Sequence, residues 1–421
     1  MRILYIHQYF VHPRMPGATR SYELARRLVE RGHEVDLITS DWQSGLATTD
    51  IRRDAGRFSK SALDGIRIHA IPNPYSNQMT FRERIRSFIR FAIKAARYTR
   101  RLDYDVVYAT STPLTVAIPG ILSARRAGVP MLFEVRDLWP DLPLAVGALR
   151  NPLAIAVARR LEKTAYRYAA RIVALSPDML DALTAKGVPP NKLVVIPNGC
   201  DLDLFSPTRA ADPRVLDRYP HLDHHPLVVY TGSLGPINNV AYLARIAAEV
   251  QTLNRNIRFA VFGDGALAES IEQLAGELGI LGQTWFMREP VPKQDVPSLL
   301  RAADLAVSIF ADVPGMSANS ANKFFDALSS GTPVAINYSG WQAGLLNGHD
   351  AGLVLPANDP GKAARLLADY LSDEAHLKAA GRNARRLAET EFDRDRQARL
   401  LAEIIEQVVA SGEATLGCQR Q

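Results

Sequence analysis

The sequence predicts an α/β protein made of two doubly wound, mostly parallel domains. Three observations carry that expectation. The chain has 421 residues, 47% hydrophobic and 22% charged, which at roughly 150 residues per domain is material for two to three cores. Strand-like and helix-like segments alternate in two successive series, separated by the aperiodic stretch 201–226, rich in Pro, Asp and His. The halves also differ in charge. Residues 1–200 carry 30 Lys and Arg against 17 Asp and Glu, and the remainder carries 20 against 27. Opposite net charges suit two domains with different partners.

The first series opens at 2–10 (RILYIHQYF), a short β-branched and aromatic run that reads as a buried strand. A loop with Pro13, Pro16 and Gly17 follows. Residues 21–31 have helical spacing through Tyr22, Leu24, Ala25, Leu28 and Val29, and Gly32 stops them. With the strand at 35–39 they make a βαβ unit, hence parallel pairing and a right-handed crossover. Further strands are expected at 106–110, 131–135, 171–175 and 193–196, with helices at 114–127 and 152–170. Pro197-Asn198-Gly199 is a turn. The second series has strands at 227–230, 258–262, 285–286, 305–308 and 333–336, and helices at 240–253, 266–278, 296–303 and 322–330. Helices at 360–371 and 375–407 close the chain, the latter broken near Phe392-Asp393.

Several classes are excluded. No stretch reaches the roughly 18–20 uncharged apolar residues of a spanning helix, and residues 1–10 lack a signal peptide's length and cleavage site. Cys200 and Cys418 cannot build a disulfide framework, so a reducing cytoplasm is expected. There is no GxxxxGK[ST], HExxH or GxSxG, and the loop after the first strand is not GxGxxG, which leaves a nicotinamide cofactor without support. His224-His225 has no cysteine beside it, so no metal site is expected.

Four constellations could carry chemistry. Gly17 stands in PGATR before a helix, where backbone can approach a ligand and unpaired N–H groups favour an anion; an ordinary βα turn reads the same way. In FEVRDLWP (133–140), Glu134 and Arg136 share a strand face and Asp137 lies at the exit, with Trp139 able to wall a site. The alternative there is a buried Arg–carboxylate pair with Trp139 packed beside it. YTGSLG (230–235), with Gly232 and Ser233, and FGDG (262–265), with Gly263, each run from a strand into a glycine loop, as a phosphate cradle or a simple turn would. The strongest is SANSANKFFDALSSGTPV (317–334). Lys323 and Asp326 lie one helical turn apart. A Lys near a helix start can meet a diphosphate, and a carboxylate can accept from two ribose hydroxyls.

In these residues, taken in order, the chain resembles the GT-B glycosyltransferases of retaining family 4. The matching segments are GATRSYELARRLVERGHEVDLIT, the hinge IPNGCDLDLFSP, the 232–235 loop, and KFFDALSSGTPV followed by Asp350-Ala351-Gly352-Leu353-Val354. FEVRDLWPD resembles the subgroup of bacterial fucosamine and other surface-polysaccharide transferases. The resemblance implies two Rossmann-like domains facing a deep cleft: an acceptor-binding domain over 1–203, with the C-terminal helix of about 394–421 packed back on it, and a donor-binding domain over 204–393. It implies retaining transfer of a sugar, an N-acetylated amino or deoxy sugar, from a nucleoside-diphosphate donor to a polyprenyl-diphosphate-linked glycan. The nucleotide-sugar is a substrate, and no metal or other cofactor is expected.

Residue by residue, Gly17 matches the family's loop near the acceptor, and Asp326 the ribose-binding second acid of an E-x7-E pair. Arg136 stands where the family has a catalytic-site His, with Asp137 after it. The first Glu of the pair is Ala318 here, so its sugar contact is expected from backbone amides of Gly315 to Ser317. The Arg and Lys usual after the first donor-domain strand fall on Ser233 and near Asn238-Asn239, which leaves Lys323 as the diphosphate cation. Lys323 and the amides of 232–235 would then stabilise charge growing on the β-phosphate, while Arg136 and Asp137 position acceptor and sugar. The leaving phosphate serves as base in same-face attack, so a separated glycosidase-type carboxylate pair is not required.

Two other readings stay open. A nucleotide-sugar 2-epimerase would need acid/base carboxylates near the sugar, and the basic first half argues against it. A non-catalytic nucleotide-sugar binder would fit the missing Glu and His. Nucleic acid is not expected, because the basic run is helical and not interleaved with aromatics along a strand. That run holds eight Lys and Arg over 82–101 against Glu83 alone. Phe81, Ile85, Phe88, Ile89, Ala92 and Ala96 fall on one face, with Arg82, Arg86, Arg90, Lys94 and Arg97 on the other. It is expected to lie on an anionic membrane surface as a basic amphipathic helix, the alternative being a helix packed on the first sheet. The expected location is the cytoplasm, peripheral on the inner face of the cytoplasmic membrane.

Overall fold

Strands buried on both faces need near-continuous apolar runs, and such runs form the centre of both sheets. The computed structural model describes residues 1–41, 52–54, 58–74, 79–206, 222 and 225–412. His224, Cys418, the Phe81 side chain and much of the 201–226 stretch lie outside the described residues. The chain divides into two units. The first comprises Met1–His12, Thr19–Pro197 and the C-terminal stretch from Asp395, and the second Pro13–Ala18 and Asn198–Arg394.

The strands of the first unit are β1 (Arg2–Ile6), β2 (Glu34–Ser40), β3 (Arg52–Asp54), β4 (Phe58–Leu63), β5 (Ile66–Ile71), β6 (Val106–Thr110), β7 (Met131–Val135), β8 (Arg171–Ala174) and β9 (Leu193–Val195). Their order is β3-β4-β5-β2-β1-β6-β7-β8-β9. β3, β4 and β5 form an antiparallel ribbon, and every other pairing is parallel. β3 and β4 were not expected, because RRD and FSKSAL carry charge and hydroxyls where a strand signal would be apolar; β5, IRIHAI, does carry such a signal and was not among the expected strands. β6 and β7 are buried throughout.

The helices Phe81–Tyr98, Ala117–Ala127 and Pro152–Tyr168 pack side by side. A capping box between Thr80 and Glu83 starts the first of them. Phe88, Phe91, Ala92, Ala95 and Tyr98 are buried. Of the residues expected to face lipid, Phe88 and Ala92 therefore face the unit's own core, and the helix is a packed one. Ile89 stays exposed between its arginines. The Arg394–Ala410 helix follows the expected break at Phe392-Asp393. Its Asp395 and Glu406 ion-pair with Arg27 and Arg31 of the first unit.

The second unit has six parallel strands: β10 (Leu227–Thr231), β11 (Arg258–Phe262), β12 (Trp285–Arg288), β13 (Leu305–Ser308), β14 (Val334–Ile336) and β15 (Gly352–Val354). They are ordered β12-β11-β10-β13-β14-β15. Val228, Tyr230, Phe259, Val261, Trp285, Leu305 and Val307 form its core with the helices Val240–Leu253 and Pro360–Ser372. In each sheet the strand order switches direction near the middle, between β1 and β6 and between β10 and β13. Beyond the carboxyl ends of strands at such a switch point, the connections diverge and leave room for a ligand.

Candidate functional site

In the first unit, the switch-point strands deliver polar residues at their exits: β1 gives His7, β6 gives Ser111 and Thr112, and β7 gives Arg136 and Asp137. Beneath them lies a buried ion pair. Glu134, fully buried, accepts from Arg20 Nε (3.0 Å) and NH2 (2.8 Å), and from the hydroxyls of Tyr108 and Thr110 (both 2.5 Å). Arg20 is 1% exposed and also donates to the carbonyls of Ile196 (2.9 Å) and Pro197 (2.7 Å). Burial alone would raise the Glu134 pKa, but the Arg20 guanidinium outweighs it and holds the carboxyl at about 2. The buried Arg–carboxylate pair thus exists, but its cation is Arg20 and not Arg136. Arg20 belongs to the core, not to an anion site at the helix start.

Arg136 stands half-buried above this base. Its amide donates to Ser111 Oγ (3.0 Å) and its NH1 to His7 Nε2 (3.2 Å), while His7 Nδ1 lies 2.8 Å from Ser21 Oγ. A guanidinium can only donate, so His7 Nε2 accepts and the imidazole is neutral. Burial, followed by Arg136, lowers the His7 pKa well below its ordinary value. Asp137 accepts from the Thr112 hydroxyl. Trp139 packs edge-on against Phe88, ring centroids 6.2 Å apart. Arg136, Asp137 and Trp139, singled out from the sequence, thus lie at this strand exit together with His7, Ser111 and Thr112, which were not singled out. The signal for His7 was positional: it is the first residue past a buried strand beside the switch point.

In the second unit, the loops after β10 and β11 touch backbone to backbone. A Cβ on Gly263 would lie 1.9 Å from the Gly232 carbonyl oxygen, and one on Gly265 2.5 Å from that of Leu234. The Gly232 amide donates to Phe262 O (3.0 Å) and the Leu234 amide to Asp264 O (2.9 Å). Two of the four amides expected to cradle phosphate are therefore engaged within the protein, and Gly263 is required by loop packing. Ser233 is exposed, and its carbonyl accepts from the Tyr230 hydroxyl (2.9 Å). Ser317 is half-buried in the short turn Met316–Ala318.

Lys323, second residue of the Asn322–Ser330 helix, reaches back to within 3.4 Å of where a Gly232 Cβ would stand. Its ammonium donates to Tyr230 Oη (3.0 Å) and Asn238 Oδ1 (3.2 Å) and lies 4.4 Å and 5.0 Å from the ring centres of Tyr230 and Phe310. Tyr230 is on β10 and Phe310 follows β13, so the cation occupies the switch point of its sheet. Both hydrogen-bond partners are neutral, and burial pushes its pKa down to about 7.

Asp326 departs from expectation. Its carboxylate lies 2.5 Å from Lys293 Nζ, with both side chains buried. Burial raises the Asp326 pKa against the pull of Lys293. Lys323 and Asp326 share a helical turn but go to different partners, so Asp326 is not a free acceptor beside the ammonium. The amides of Lys293 and Gln294 donate to the carbonyls of Met15 and Pro13 (both 3.2 Å). Gly17 (φ 129°), expected in an acceptor-side loop, accordingly groups with the second unit. Nothing in the local sequence PVPKQD marks Lys293 as the partner of Asp326.

Residues 17–199 match the family described as a glycosyl transferase 4-like domain, and residues 216–387 the glycosyl transferases group 1. The chain is 27% identical to a D-inositol 3-phosphate glycosyltransferase of Streptomyces avermitilis, over 87% of this chain and 78% of that protein. It is 23% identical to an MMP alpha-(1->4)-mannosyltransferase of Mycolicibacterium hassiacum, over 92% and 93%. Among solved structures, sucrose-phosphate synthase from Thermosynechococcus elongatus superposes with a TM-score of 0.77 at 18% identity, over 97% of this chain and 99% of that one. HepE of Anabaena, in complex with UDP-glucose, gives 0.72 at 16% identity, over 97% and 100%.

Two stability predictions arise. The Glu134 pKa is depressed on folding, so its contribution is complete above the unfolded value near 4.3 and is lost as pH falls toward about 2. The melting-temperature gap between wild type and Glu134→Gln should shrink between about pH 6 and pH 3; a constant gap contradicts the ion pair. Asp326→Ala leaves Lys293 buried without a counter-charge and should cost about 3–5 kcal/mol in denaturant unfolding, mostly restored by adding Lys293→Met. An unchanged unfolding midpoint in the single variant contradicts this.

Proposed function

The chain belongs to the family-4-like glycosyltransferases of GT-B type, and from that premise we propose that it is a retaining enzyme moving a sugar from a nucleoside-diphosphate donor to a lipid-linked glycan in bacterial surface-polysaccharide assembly. The observation that carries this reading is Lys323, a desolvated ammonium with neutral partners at the switch point of the second sheet. As a glycosidic bond to a nucleoside diphosphate breaks, negative charge grows on the β-phosphate. A cation partly withdrawn from water and lacking a carboxylate stabilises that charge more than a fully solvated one would. Lys323 supplies what Ser233 and Asn238-Asn239 cannot, and the second unit is the donor domain in this reading. The UDP-glucose bound to HepE supports a donor of this class.

The first unit is then the acceptor domain. Arg136, fixed by neutral His7, and Asp137, oriented by Thr112, position the acceptor and the sugar. The backbone of 315–317 contacts the sugar where Ala318 replaces a Glu. The incoming hydroxyl attacks from the leaving-group side and passes its proton to the leaving phosphate, without a metal or other cofactor. The excess of basic residues in 1–200 suits a phosphorylated acceptor such as a polyprenyl-diphosphate-linked glycan. The resemblance of FEVRDLWPD favours an N-acetylated amino or deoxy sugar. A 2-epimerase fits less well, because of the other two acids of that segment Glu134 is locked by Arg20 and Asp141 is paired with Lys186.

Lys323→Met should weaken binding of uridine diphosphate by about ten- to a hundredfold in calorimetry. In the wild type, affinity should fall from about pH 7 to pH 9 as the ammonium loses its proton, and the variant should lose that slope. Equal affinities and slopes would remove Lys323 from the donor site. Asp137→Asn should lower acceptor-dependent release of nucleoside diphosphate at least about tenfold while leaving the melting temperature unchanged. A fall in stability with normal turnover per folded molecule would make Asp137 structural.

A further inference from the structure

The layer of helices Phe81–Tyr98, Ala117–Ala127 and Pro152–Tyr168 has an outer face that the proposed reaction does not use. Eight large hydrophobic side chains are exposed among the described residues, and five belong to this layer: Ile89, Ile93, Leu122, Leu153 and Val157. Leu153 (75% exposed) and Val157 (60%) stand one turn apart at the start of the Pro152–Tyr168 helix, with Ala154 and Ala156 also exposed. Apolar surface left in water brings no folding stability, and its clustering marks an interaction surface.

The charge of the layer is one-sided. The three helices and the Thr99–Arg101 turn carry 14 Lys and Arg against two Glu. One of those, Glu162, is buried and paired with Lys186. On the Phe81–Tyr98 helix, Arg86, Ile89, Arg90, Ile93, Lys94 and Arg97 line an open groove of about 400 Å³. Basic side chains thus interrupt the apolar ones across the whole face.

We propose that this layer seats the protein on an anionic bilayer, with Leu153 and Val157 entering the acyl boundary and the arginines over the headgroup phosphates. Charge complementarity selects this occupant. A second copy would set positive charge against positive charge. A protein partner would want a contiguous apolar centre, which the arginines break up. A fluid array of phosphates accepts isolated apolar side chains between cations that bind phosphate directly. The chain also runs from Asp137 to Leu153 through one short helix, Asp141–Ala145, so the candidate acceptor residues and the most exposed apolar residues of the layer lie on one short stretch of chain. The purpose of the surface rests on the proposed lipid-linked acceptor; its existence does not.

The test is sedimentation of the full chain with vesicles of phosphatidylcholine, alone and mixed with phosphatidylglycerol, without donor or acceptor. The wild type should pellet with the mixed vesicles and be released by salt. Leu153→Ser with Val157→Ser should weaken partition about tenfold, and Arg160→Glu by at least about fivefold, near 1 kcal/mol per charge, all with unchanged melting temperatures. Equal pelleting with both vesicle types at low salt, or wild-type partition by all these variants, overturns the proposal. Self-association in solution abolished by the same substitutions, with no vesicle binding, assigns the layer to a second copy and overturns it too. Vesicle binding without transfer to any lipid-linked acceptor would leave the surface standing and refute the proposed acceptor.

Discussion

Removing a charge from water costs several kcal/mol, and what the charge meets in the interior decides its use. Three Lys and Arg side chains are buried among the described residues, and each has a carboxylate: Arg20 with Glu134, Lys293 with Asp326, and Arg394 with Asp201. These pairs hold the chain in place. Arg20–Glu134 ties the start of the first helix to β7 and to the chain beyond β9. Arg394–Asp201 pins the strand of chain after Asn198 where the two C-terminal helices break. Lys323 is different. It meets a hydroxyl, an amide oxygen and two rings, with no carboxylate among these partners to offset the burial that lowers its pKa. A compensated charge is structure; the uncompensated one at the sheet's switch point is the cation that the proposed function assigns to the donor diphosphate.

This distinction also explains what could be read from the sequence. The central strands were legible because burial on both faces demands runs such as RILYI and RFAVF, which are local signals. The Asn322–Ser330 helix and the place of Lys323 on it were legible for the same reason, as was the burial of Phe324 and Phe325. Arg136 and Asp137 could be found because a strand exit is visible in sequence. The partners of the buried charges were not, since Glu134 lies 114 positions from Arg20 and Asp326 lies 33 from Lys293. Without Lys293 in view, Asp326 looked like a free ribose acceptor. β3 and β4 were missed because their polar residues show no apolar pattern, whereas β5 (IRIHAI) is an apolar, buried run that could have been read as a strand; the exposed segment PLAIAVARR reads like a packed helix until its surroundings are known.

The two units divide the labour in this account. The second unit keeps its glycine loops closed on one another and brings in a cation, Lys323, from a neighbouring helix. The first unit builds a rigid polar platform, in which a neutral imidazole and two hydroxyls from β6 hold the guanidinium and carboxylate past β7. The same unit carries the basic, partly apolar outer layer. Such a layout places the groups that would receive a lipid-borne acceptor and the surface that would approach its membrane on one fold.

The most direct measurement is the structure of the protein with uridine diphosphate bound. A β-phosphate oxygen is expected within hydrogen-bonding distance of Lys323 Nζ, with Lys293–Asp326 still paired. A nucleotide bound elsewhere, with Lys323 still resting on Tyr230 and Asn238, would contradict this.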